Sequence, residues 1–65
     1  MTKKVDDKLF GLMVEEVKKL VDILGDNKLT FIIDIIVEKH LSDKGLSERE
    51  LGEIAFQIAF VVVER

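Results

Sequence analysis

The stretch Phe31-Ile32-Ile33-Asp34-Ile35-Ile36-Val37 decides the fold class. Five of its seven residues are β-branched, so by residue preference alone it reads as a strand. Two arguments turn it into a helix. Asp34 and the following Glu38 are four residues apart, not two, and the return period of a helix face is three to four residues. No second stretch carries a matching alternation, and a lone strand has no ladder to join. Read as a helix, the segment extends over about 27–43. Leu29, Ile32, Ile33, Ile36, Val37 and His40 form its apolar stripe. Asp26 or Asn27 is expected to cap its start. Phe31 and Ile35 lie away from the stripe.

Working outward, Gly25 and Gly45 each follow a periodic apolar segment, where a helix end favours a residue tolerant of left-handed backbone angles. Before Gly25, a helix is predicted over about 3–24. Leu9, Phe10, Met13, Val14, Val17, Leu20, Val21 and Leu24 follow the i, i+3, i+4, i+7 rule. Glu15 and Lys19 form an expected i, i+4 pair on its outer side, worth a few tenths of a kcal/mol. After Gly45, Leu46-Ser47-Glu48-Arg49-Glu50-Leu51 matches a capping box, with Ser47 as N-cap and Glu50 three residues on. Leu46 and Leu51 add a hydrophobic staple. This third helix is predicted over about 48–63, with Arg65 complementing the negative end of its dipole. Gly11 and Gly52 fall inside helices, where each costs up to ~1 kcal/mol against alanine. Close approach of a neighbouring helix is the expected reason. Short connections make successive helices antiparallel neighbours. The prediction is therefore all-α: one domain over 1–65, a compact antiparallel three-helix bundle running up, down and up. Helical wheels leave its handedness open.

Composition bounds the function. The chain has 65 residues, 48% hydrophobic and 35% charged, with a net charge of −3. A chain so short buries a small fraction of its surface and often gains a staple from a disulfide, a metal or a partner. With no cysteine there is no disulfide, and His40 is the sole histidine, so no metal or cofactor site is expected. The acidic balance gives no electrostatic reason to bind nucleic acid or an anionic membrane. No leader stands out in residues 1–8, which include two aspartates. The longest uncharged run, Ile54–Val63, is about half a membrane span. A cytoplasmic protein is the expectation. Abundant Lys, Glu, Ile and Val with one Gln and one Asn leans toward thermophile composition, as do many mesophile helical proteins.

Catalytic patterns do not assemble. Ser47 is explained as a cap, and Ser42 lies two residues from His40, so the two do not share a helix face. His40 with Asp43 and Glu38 makes a weak metal pattern; a half-buried ring at a helix C-terminus is the plainer reading. The carboxylate pairs Asp6–Asp7, Glu15–Glu16 and Asp34–Glu38 read as solvated faces. The chain is not expected to be an enzyme, and no small-molecule ligand is evident.

What remains is surplus apolar surface. The first helix has an apolar arc of roughly 200°, but the third has one of roughly 260°. Leu51, Ile54, Ala55, Ile58, Ala59 and Val62 make one face, while Phe56, Phe60 and Val63 make another. With Phe31 and Ile35 these form a candidate protein interface of several hundred Å², a size that suggests association. The leading reading is a protein-interaction or homo-oligomerisation module, a homodimer being the commonest form. Burial of the third helix in a deep groove of one chain is the competing reading. A small DNA-linked regulator with a helix-turn-helix-like segment at 30–63 is the functional alternative. Against it, Arg49 and Gln57 stand among Glu48, Glu50, Glu53 and Glu64, which repel phosphates.

Overall fold

The computed structural model describes residues 5–64. It is an all-α bundle of three helices: α1 (Asp7–Leu24), α2 (Leu29–Leu41) and α3 (Glu48–Glu64), with a 3₁₀ turn at Asp26–Lys28 between the first two. Each helix packs on both of the others. No strand occurs among the described residues, so 31–37 is helical.

Each helix boundary has a local cause. Asp6 caps α1 by accepting the Leu9 N–H at 2.8 Å. The helix therefore begins at Asp7, later than the predicted start at Lys3; residues 1–4 and Arg65 lie outside the described residues. Gly25, at φ +99°, ends α1 and donates its N–H to Val21 at 2.8 Å. A side chain there is strained, because L-residues rarely adopt that angle.

Neither Asp26 nor Asn27 caps α2. Both lie in the 3₁₀ turn, and α2 starts after Lys28 with no side-chain cap. The turn itself supplies acceptors: Lys28 N–H donates to Gly25 O at 3.1 Å, and Leu29 N–H donates to Asp26 O. The Lys28 and Leu29 N–H groups, which Asp26 would serve as an N-cap, are thus already paired. At its far end α2 stops at Leu41, two residues before the predicted Asp43. Lys44 N–H turns back to Leu41 O at 3.1 Å, and Gly45, at φ +70°, redirects the chain. The capping box at α3 is present in both directions. Ser47 N–H donates to Glu50 Oε1 at 3.0 Å, and Glu50 N–H donates to Ser47 Oγ at 3.2 Å. On α1, Glu15 meets Lys18 at 3.8 Å and not the expected Lys19.

The core is aliphatic. Met13, Val14, Val17 and Val21 of α1 meet Ile32, Ile33, Ile36, Val37 and Leu41 of α2 and Ile54, Ile58 and Val62 of α3. Val5 folds in beneath them. No polar or charged side chain is buried among the described residues. Gly11 and Gly52 are not sites of helix contact. A Cβ built at either meets nothing within 4 Å, so close approach inside the chain is not their reason.

Candidate interaction face

The geometry of α3 follows from its sequence at about 100° per residue. Ile54, Ile58 and Val62 point inward and are buried. Ala55 and Ala59 stand beside them on the α2 side, where they form a groove with Thr30, Ile33 and Asp34. Gln57 and Val61 lie on the α1 side, in an apolar groove of ≈ 360 Å³ shared with Phe10, Phe56 and Phe60. Phe56, Phe60 and Val63 are left on the outer face, spaced i, i+4, i+7.

These three side chains are 72%, 60% and 68% exposed. They are not tucked into a groove between α1 and α2. On α2, Phe31 is 62% and Ile35 45% exposed. All five residues singled out from the sequence thus lie at the surface, but not as one row. Phe31 and Ile35 line none of the grooves along α3; the α2 positions that do include Leu29, Thr30, Ile33, Asp34, Val37 and Glu38. The compact face belongs to α3. Taking ~200 Å² for a whole phenylalanine side chain, Phe56, Phe60 and Val63 together expose on the order of 350 Å² of apolar surface. That matches the largest apolar patch of a typical monomer, which is often functional.

Charges rim this face without entering it. Arg49 is one turn before Glu53 and meets it at 3.7 Å, while its own side chain is 90% exposed. Glu64 lies at the other end of the helix.

A second polar feature joins α1 to α2, and sequence reasoning missed it. His40 Nε2 donates to Glu16 Oε1, and Lys39 Nζ donates to Glu16 Oε2 at 3.1 Å. The His40 hydrogen bond, helped by Lys39, holds the Glu16 carboxyl below the usual carboxylate range, although partial burial opposes this. His40 is half-buried, as expected, but it faces Glu16 from another helix and not a ligand set with Asp43 and Glu38. Among the described residues no three His, Cys, Asp or Glu side chains cluster in a way that fits a metal ion.

A surface concavity of ≈ 560 Å³ between the start of α1 and the α2–α3 turn is lined by Asp6, Lys8, Leu9, Leu12, Glu15 and Lys44, with Gly11 in its wall. Its described lining residues include no hydroxyl, thiol or imidazole; the ionisable groups there are the carboxylates of Asp6 and Glu15 and the amines of Lys8 and Lys44. No helix among the described residues is long and apolar enough to cross a membrane. Comparison with known families, with curated proteins and with solved structures finds no match for this chain.

Proposed function

We propose that this chain is a non-catalytic protein-association module that pairs with a second copy of itself through the outer face of α3. The observation that carries the reading is the exposure of Phe56, Phe60 and Val63 on one side of a well-formed helix. Leaving two phenylalanines in water has no benefit to the isolated fold, and covering them has a large one. A recognition helix for DNA presents hydrogen-bonding side chains to a groove. Here the corresponding surface is aromatic, which favours a protein partner.

The area suits a modest dimer. An apolar centre of ~350 Å² with a polar rim amounts to about 600 Å² per copy, since interface cores are apolar and rims polar. A standard interface takes about 800 Å² per partner. Area alone does not fix affinity, so the test brackets a dissociation constant on the order of 1 µM.

Light scattering across a roughly hundredfold dilution around that concentration tests the reading, because pairing follows mass action. The expected mass is twice 7.4 kDa at the concentrated end, falling toward 7.4 kDa on dilution. Phe60→Glu should be monomeric throughout and keep its helical circular dichroism. A wild-type chain of 7.4 kDa at every concentration overturns the pairing. So does a Phe60→Glu variant that associates like wild type.

A further inference from the structure

Two helices can pair about a twofold axis in parallel or antiparallel. Resting on the self-pairing above, we propose that α3 pairs antiparallel with α3 of the second copy, with the axis beside Phe56 and Gly52 as a point of close approach.

The first observation is charge. Arg49 stands at the N-terminal end of the outer face and Glu64 at the C-terminal end, both exposed. Parallel pairing sets arginine beside arginine and glutamate beside glutamate. Antiparallel pairing sets Arg49 of each copy beside Glu64 of the other, twice by symmetry. Opposite charges across an interface fix register more than they add affinity. The contact of Arg49 with Glu53 is long and exposed, so it competes weakly. Antiparallel pairing also brings the positive N-terminus of each helix level with the negative C-terminus of its neighbour. The net charge of −3 per chain opposes association, but salt screens it beyond about 8 Å under physiological conditions.

The second observation is Gly52, and it is independent of charge. Its backbone angle is not positive, so the conformation does not require glycine. An added Cβ meets nothing within 4 Å, so packing inside the chain does not require it either. Yet a glycine inside a helix costs roughly 1 kcal/mol against alanine. Gly52 lies one turn before Phe56, at the edge where the apolar face meets the groove toward α2 that Asp34, Glu38 and Ser42 also line. When Arg49 is level with Glu64 of the copy, the axis falls between positions 56 and 57. Gly52 is then level with position 61 of the copy, within its Phe60–Val63 turn. Bulky side chains of one copy thus meet bare backbone of the other. Gly11 is equally open but has no aromatic face beside it, and nothing in the structure explains it.

The absence of cysteine makes a clean test possible. A disulfide needs Cβ atoms about 4 Å apart. Phe56→Cys lies next to its own counterpart at the axis and should oxidise to a covalent dimer. Arg49→Cys and Glu64→Cys each lie ~22 Å along the helix from their own counterparts, at 1.5 Å rise per residue. Neither should cross-link alone, and an equimolar mixture of the two should. Gly52→Leu should weaken association at least tenfold while keeping or raising the thermal midpoint of a dilute sample. Cross-linking of Arg49→Cys with itself and Glu64→Cys with itself means parallel pairing and overturns the proposal. A wild-type dimer with none of these cross-links places the interface elsewhere and overturns it too, while a monomeric wild type removes the self-pairing itself. Unchanged association of Gly52→Leu overturns the role given to Gly52.

Discussion

Substituting alanine for Gly11 and Gly52 should make this protein more stable, against the usual direction of mutation. Both glycines are exposed and interior to helices, at backbone angles any residue adopts. An alanine Cβ at either meets no neighbour within 4 Å, so no strain offsets the gain. The gain is conformational: the unfolded chain loses freedom that glycine gives it. Each substitution is worth about 0.5–1 kcal/mol. For a chain of this size 1 kcal/mol moves the thermal midpoint by about 4–8 °C. The double variant should show close to the sum, because the sites are on different helices and share no contact. Circular dichroism melts at submicromolar protein keep the proposed pairing out of the measurement. Gly25→Ala supplies the opposite sign in the same assay. At φ +99° its new Cβ lies 3.0 Å from Asn27 Oδ1, and a loss of about 1–2 kcal/mol is expected. A fall in midpoint for Gly11→Ala or Gly52→Ala would refute the reasoning, since it would mean that the space is filled within the folded chain.

Three further outcomes follow from single sites. Ser47→Ala removes the acceptor for the Glu50 N–H and should cost about 1 kcal/mol in urea unfolding. Ile58→Ala empties the fully buried centre of α3 and should cost about 2–5 kcal/mol, enough to leave so small a chain largely unfolded at 25 °C by far-ultraviolet circular dichroism. Glu16 has its folded-state carboxyl pKa below the ordinary value of 4.5. Its stabilising contribution is therefore complete above that value and is lost as pH falls through the lowered one. Glu16→Gln should flatten this part of the stability profile below pH 4.5 in acid titrations followed by tryptophan-free methods such as circular dichroism; a wild-type slope retained in the variant would assign the acid sensitivity to other carboxylates.

The helices were legible because their signals are local. The aliphatic stripe of α1 and the Ser47–Glu50 box of α3 each lie within one or two turns of chain, where spacing maps directly onto geometry. The bare α2 start escaped notice because Asp26 and Asn27 are good caps by type. Sequence does not say that the backbone turn has already satisfied the donors they would serve. Val5 is buried outside any helix, on the approach to α1, where no helical period reaches; Leu41 continues the Ile33–Val37 row of α2 and was readable from it. The Glu16–His40–Lys39 group is invisible locally, its members being 23 and 24 residues apart. Counting back equally from the turn at 25–28 brings position 16 near positions 37–40, so helix register was the one available clue. The exposure of Phe56, Phe60 and Val63 was foreshadowed by the wide apolar arc of α3. Their separation from Phe31 and Ile35 depends on how α2 is rotated in the bundle, which a wheel drawn for one helix does not contain.

The succession of helices has a kinetic consequence. Tight turns at Gly25 and Gly45 join each helix to its next neighbour, and α3 carries its start signal within its own first turn. Chains dominated by such near-neighbour contacts cross the folding barrier in about microseconds to milliseconds, because little loop entropy is lost before the contacts form. An aromatic face on α3 would be a hazard in a slow folder, where it meets half-formed copies. Here the helix is formed and its inner face occupied long before two chains at micromolar concentration meet. Under the proposed pairing, encounters would therefore occur between finished surfaces, and speed of folding would protect the selectivity of that pairing.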